Sequence, residues 1–102
     1  MEQVKIIGLE ADTLTIELSG DIDLSNAEIF YNEVLNVYMG TPADILFDCE
    51  KLNFIDSTTL GTFVKILKNV KVNGHTMRLT KLQPKIKKLF VICSLDKIIA
   101  LD

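Results

Sequence analysis

Phe54-Ile55-Asp56-Ser57-Thr58-Thr59-Leu60-Gly61 joins the end of a strand pattern to the start of a helix, and its reading decides the fold. From Leu60 onward apolar residues recur at Leu60, Phe63, Val64 and Leu67, the i, i+3, i+4, i+7 spacing of one helix face. Asp56 or Ser57 caps that helix. The first amides of a helix have no internal partner and carry partial positive charge, so this junction suits a side-chain oxygen or an added phosphate.

Upstream of the junction, Val4 to Gly8 and Thr13 to Ser19 read as strands, the second alternating Leu14, Ile16 and Leu18 against Thr13, Thr15 and Glu17, with Glu10-Ala11-Asp12 as their turn. A hairpin follows. Ser25 is the expected N-cap of a helix carrying Ala27, Phe30, Tyr31, Val34 and Tyr38 inward, stopped by Gly40 and Pro42. Ile45-Leu46-Phe47 is a continuous apolar run of the kind expected for a strand buried on both faces, with helices on both sides of the sheet. Downstream, Asn73-Gly74 stops the junction helix, His75 to Thr80 reads as a strand, Pro84 fits the first turn of a last helix, and Ile98 to Leu101 closes the chain as a strand.

The order ββαβαβαβ predicts one α/β domain over residues 1–102, a mixed sheet of four to five strands with helices packed against it and right-handed parallel crossovers. Loops leaving the carboxyl ends of parallel strands share an edge. The Gly20 to Ser25 loop, the Asn53 to Ser57 loop and the Leu82-Gln83 turn are therefore expected to be neighbours.

With 102 residues, 48% hydrophobic, 25% charged and a net charge of −3, the chain carries no electrostatic footprint for nucleic acid or an anionic membrane. Lys85, Lys87 and Lys88 read as the solvated face of a helix whose other face holds Ile86, Leu89 and Phe90. No apolar segment approaches the ~20 residues of a membrane span and the amino terminus lacks an apolar leader, so a cytoplasmic location is expected. Cys49 and Cys93, far apart and in apolar surroundings, read as buried reduced thiols.

Enzyme chemistry finds little support. The single histidine, His75, starts the strand after the junction helix, whereas Ser57 follows the end of the preceding one; parallel pairing separates them by a strand length, ~17 Å, too far for a nucleophile and its base. Asp21, Asp23, Asp48 and Asp56 read as caps and turn residues rather than a divalent-cation site. Neither nucleotide-binding glycine motif occurs. No catalytic residue, metal or cofactor is expected. The residues by themselves leave Ser57 as either a silent cap or a phosphoacceptor.

Three motifs in chain order carry a resemblance. Asp56-Ser57-Thr58-Thr59-Leu60-Gly61 is similar to an Asp-Ser-x-Gly-Leu-Gly signature, Leu18-Ser19-Gly20-Asp21-Ile22-Asp23 to an apolar-x-Gly-acid-apolar-Asp element, and Lys88-Leu89-Phe90 through Leu95-Asp96-Lys97-Ile98-Ile99 to a Leu-Phe, turn, Leu and Ile-Ile ending. Together they span nearly the whole chain, which resembles the bacterial STAS-domain anti-sigma factor antagonists. The resemblance implies Ser57 as phosphoacceptor and an edge of Asp21, Asp23, Asp56, Ser57, Thr58, Thr59 and Gly61 that docks a partner. It implies as partners an anti-sigma factor that is also a serine kinase, released by phosphorylation, and a PP2C-type phosphatase that resets the switch. Thr59 stands where the signature has glycine, leaving Thr58 and Thr59 as competing acceptors. The other reading is a STAS interaction module of a larger assembly, a sensory scaffold or transporter accessory, without a phosphorylation cycle.

Overall fold

A computed structural model describes residues 1–102. The strands are β1 (Val4–Glu10), β2 (Thr13–Ile22), β3 (Asp44–Ile55), β4 (Met77–Thr80) and β5 (Ala100–Leu101); the helices are α1 (Ala27–Gly40), α2 (Ser57–Val72) and α3 (Pro84–Ile92), with a short 3-10 turn at Leu95–Lys97. They form one five-stranded sheet in the order β1-β2-β3-β4-β5. The β1-β2 hairpin is antiparallel and every later pairing is parallel. Ala11 and Asp12 both take positive φ, +50° and +61°, which closes the hairpin as tightly as a primed turn requires.

The expectation of helices on both faces is overturned. Each crossover steps one strand in the same direction along the sheet, and right-handed crossovers that never reverse direction put every helix on one side. β3 therefore alternates: Ile45, Phe47 and Cys49 are buried under the helices, while Asp44, Leu46 and Asp48 are half-buried on the helix-free face. One apolar cluster fills the space between sheet and helices, with Ile16 and Leu18 of β2, Phe30 and Val34 of α1, Phe63 and Ile66 of α2 and Phe90 of α3 all fully enclosed. Burial pushes the Cys49 thiol up to about 12, with Asp48 adding to the effect, so this sulfur stays protonated and unreactive.

Smaller corrections have local causes. β2 and β3 run on to Ile22 and Ile55, so the loops leaving them are shorter than expected. The N-cap of α1 is Asn26, not Ser25, because Asp23 takes both the Ser25 amide (2.9 Å) and the Ser25 hydroxyl (2.6 Å). Cys93 is exposed, since α3 stops at Ile92 and the next residue turns outward as its C-cap. The last strand shrinks to two residues because the preceding segment coils into the 3-10 turn. β4 begins at Met77 rather than His75, whose Nδ1 lies 2.6 Å from the Tyr38 hydroxyl.

Candidate functional site

The carboxyl ends of β2 and β3 bring two loops together, and Asp56 ties them. As the N-cap of α2, its Oδ1 accepts from the Thr59 amide at 3.0 Å, and its Oδ2 accepts from the Leu24 amide at 2.8 Å across the loop gap. These bonds, that from the Thr59 amide foremost, hold the Asp56 carboxyl below the ordinary carboxylate range against the opposing effect of desolvation. It is ionised at neutral pH.

On the adjoining loop, the Asp23 amide donates to Asn26 Oδ1 at 2.8 Å and the Asn26 side chain donates to the Asp21 carbonyl at 3.0 Å, fixing the entry into α1. Asp21 itself is exposed and Asn53 of β3 reaches it at 3.5 Å. The hydrogen bonds thus tie the loop that carries Asp21 and Asp23 to Asp56, the residue before Ser57. Asp48 lies away from them, on the helix-free face beside Lys81 at 3.9 Å.

Ser57 and Thr58 are exposed in the first turn of α2, a helix long enough to carry a positive amino-terminal field. Gly61, one turn further on the same face as Ser57, is also exposed, and a Cβ there would meet nothing within 4 Å. Its missing side chain serves no internal packing. It leaves bare the surface beside the Ser57 hydroxyl.

Thr59 departs from the expected edge. It is fully buried, and its hydroxyl donates to the Ile22 carbonyl at the end of β2 while lying 3.1 Å from Asp56 Oδ1. The side chain that replaces the signature glycine is an internal clasp between α2 and β2, neither a docking residue nor an accessible acceptor. Thr59→Val, which keeps the shape and removes the donor, leaves that carbonyl unpaired and is expected to cost about 1–3 kcal/mol in urea unfolding. A change below about 0.5 kcal/mol, the range of ordinary surface substitutions, would contradict the clasp.

Several residues that flank the edge have no motif. Leu24, on the loop whose amide Asp56 holds, is 75% exposed, and Phe54, near the end of β3, is 48% exposed. Phe54, Lys85 and Leu89 share a cleft of about 170 Å³, so the third wall of the site is the start of α3. On the other side a groove of about 340 Å³ runs between α1 and α2 past Thr58, Tyr31 and Lys65, whose ammonium sits 4.7 Å over the Tyr31 ring. Phe54 is exposed at the end of β3, between buried Leu52 and Ile55, where the strict alternation of the strand has already lapsed at Glu50 and Lys51.

No group of three or more His, Cys, Asp or Glu side chains is arranged to hold a metal ion, and no helix is long and apolar enough to cross a membrane. The family model described as the STAS domain matches residues 5–102. The chain belongs to the STAS domain family. This STAS chain is 31% identical over 86 residues to the anti-sigma-B factor antagonist of Bacillus subtilis (strain 168), covering 84% of this chain and 78% of that protein. Among solved structures, the phosphorylated form of the Bacillus cell fate determinant SpoIIAA shares the fold at a TM-score of 0.72, with 20% identity, 98% of this chain and 89% of that one covered. A Moorella thermoacetica RsbS variant does so at 0.78, again with 20% identity, covering 98% and 86%.

Proposed function

We propose that this STAS domain is an anti-sigma factor antagonist: it docks an anti-sigma factor through the edge around Ser57, and phosphorylation of Ser57 by that partner's serine kinase activity ends the docking. A PP2C-type phosphatase then restores the free hydroxyl. The chain acts as a binding protein and kinase substrate, and it works as one domain in the cytoplasm. The observation that carries the reading is a solvent-facing Ser57 hydroxyl at the head of α2, on an edge whose loops are locked by Asp56. The 31% identity to the B. subtilis antagonist supports the partner class, and a protein of this fold exists in phosphorylated form.

The chemistry of the switch is electrostatic and steric. A phosphoryl group adds about −1.5 to −2 charges. At Ser57 it stands next to the ionised Asp56, which already occupies the Thr59 amide and, through the Leu24 amide, holds the loop that carries Asp21 and Asp23. Leu24, whose amide Asp56 holds, and Phe54, three residues before Ser57, are exposed apolar side chains, so a docked partner that covers them excludes water here and a dianion on Ser57 must be desolvated. Because Ser57 is exposed, the fold has no need to open for the kinase or to rearrange afterwards.

Incubation with serine kinases from the same genome, followed by mass-spectrometric mapping, is expected to place one phosphate on Ser57, lost in a folded Ser57→Ala variant. Phosphate on Thr58 alone, or undiminished labelling of Ser57→Ala, would refute the assignment.

A further inference from the structure

β1 lies at the end of the sheet, hydrogen-bonded to β2 on one side only and packed substantively on β2 alone, so its seven-residue outer edge is open. The opposite edge strand, β5, has two residues. Ile6, Ile7 and Leu9 along β1 are 40%, 53% and 53% exposed. Lys5 and Glu10 are exposed too, and neither is among the residues that form ion pairs within the chain.

The irregularity between Ile6 and Gly8 sets which residues share a face. Lys5 pairs with Glu17 and Glu10 with Thr13, which puts both charges on the helix-free face. Ile6 pairs with Ile16 and Leu9 with Leu14, so both apolar side chains lie on the helix face. In an unbroken strand the odd separations, Lys5 to Glu10 and Ile6 to Leu9, would split each pair across opposite faces. The bulge reunites them.

We propose that β1 is a homodimer interface, in which two copies of the chain join edge to edge as antiparallel strands about a two-fold axis passing between Ile7 and Gly8. That register sets Lys5 opposite Glu10 of the second copy, Ile6 opposite Leu9, and Ile7 opposite Gly8, each twice by symmetry. Charges meet opposite charges on one face and apolar groups meet on the other. Gly8, where a Cβ would have no neighbour within 4 Å, leaves room for the facing Ile7. A slip by one residue puts Lys5 opposite Leu9 and loses both matches. Backbone hydrogen bonds and the apolar pairs hold the dimer, while Lys5 and Glu10 select its register, since like charges directly opposite are destabilising. The result is a continuous sheet through both copies, joined at an edge two strands from β3, whose carboxyl end leads into Ser57.

Sedimentation velocity over a concentration series tests this with charge reversals. The wild type is expected to dimerise reversibly, with a dissociation constant of about 1 mM or tighter. Lys5→Glu alone faces Glu10 with Glu, and Glu10→Lys alone faces Lys5 with Lys; each is expected to weaken dimerisation by about tenfold. An equimolar mixture of the two variants restores complementarity at every charged pair and is expected to dimerise as tightly as the wild type, which also shows that both are folded. A wild type monomeric at about 1 mM, single variants that dimerise unchanged, or a mixture that stays as weak as its components would each overturn the proposal.

Discussion

Ser57→Asp is expected to weaken docking to the anti-sigma partner by about 100-fold, while the thermal stability of the free domain changes little. The asymmetry follows from where the residue sits. An acid in the first turn of a helix interacts favourably with the amino-terminal dipole, and the exposed position demands no repacking. In a complex that covers the exposed Leu24 and Phe54 the same carboxylate must be stripped of water and held next to an Asp56 that is already ionised. Unpaired charge in a sealed contact costs several kcal/mol, which corresponds to the expected loss. Titration of the purified partner against both proteins measures it, and equal affinities would remove Ser57 from the interface.

Phe63→Ala is expected to cost about 3–5 kcal/mol of folding stability. The ring is fully enclosed and lies 5.3 Å from Phe30, 5.4 Å from Phe47 and 5.6 Å from Phe90, so it contacts α1, β3 and α3 at once from its place on α2. Three separate elements cannot all close the space a ring of that size leaves. For a domain near 100 residues the loss corresponds to a fall in melting temperature on the order of 15–30 °C. A loss below about 1 kcal/mol would mean that α2 is not fastened to the sheet through this residue.

The same helix shows how far the sequence could be read. Leu60, Phe63 and Leu67 announced the buried face because they are apolar at helical spacing, and Asp56 announced the cap through a local rule. Thr59 and Thr62 lie on that buried face as well, but a periodicity built on apolar residues passes over threonine. What satisfies the Thr59 hydroxyl is the Ile22 carbonyl on another element, a contact that no local pattern encodes. The Ile45-Leu46-Phe47 run was misleading for a related reason. Leu46 is only half-buried, and whether a second helical layer covers it depends on the direction of successive crossovers, which the composition of the strand does not record. Cys93 follows the phase of Ile86 and Phe90, yet the helix ends one residue before it and the phase no longer applies. Leu24 and Phe54 were silent for a different reason: apolar exposure is visible only when the surrounding elements are in place.

One exposed serine at the head of α2 is expected to govern whether this STAS domain engages its partner. The most direct test titrates the anti-sigma factor with the domain before and after stoichiometric phosphorylation of Ser57, with circular dichroism confirming that the fold is unchanged. Tight binding of the free form and loss of about 100-fold or more on phosphorylation is the predicted result. Equal binding by the two forms, with phosphate confirmed on Ser57, would contradict it.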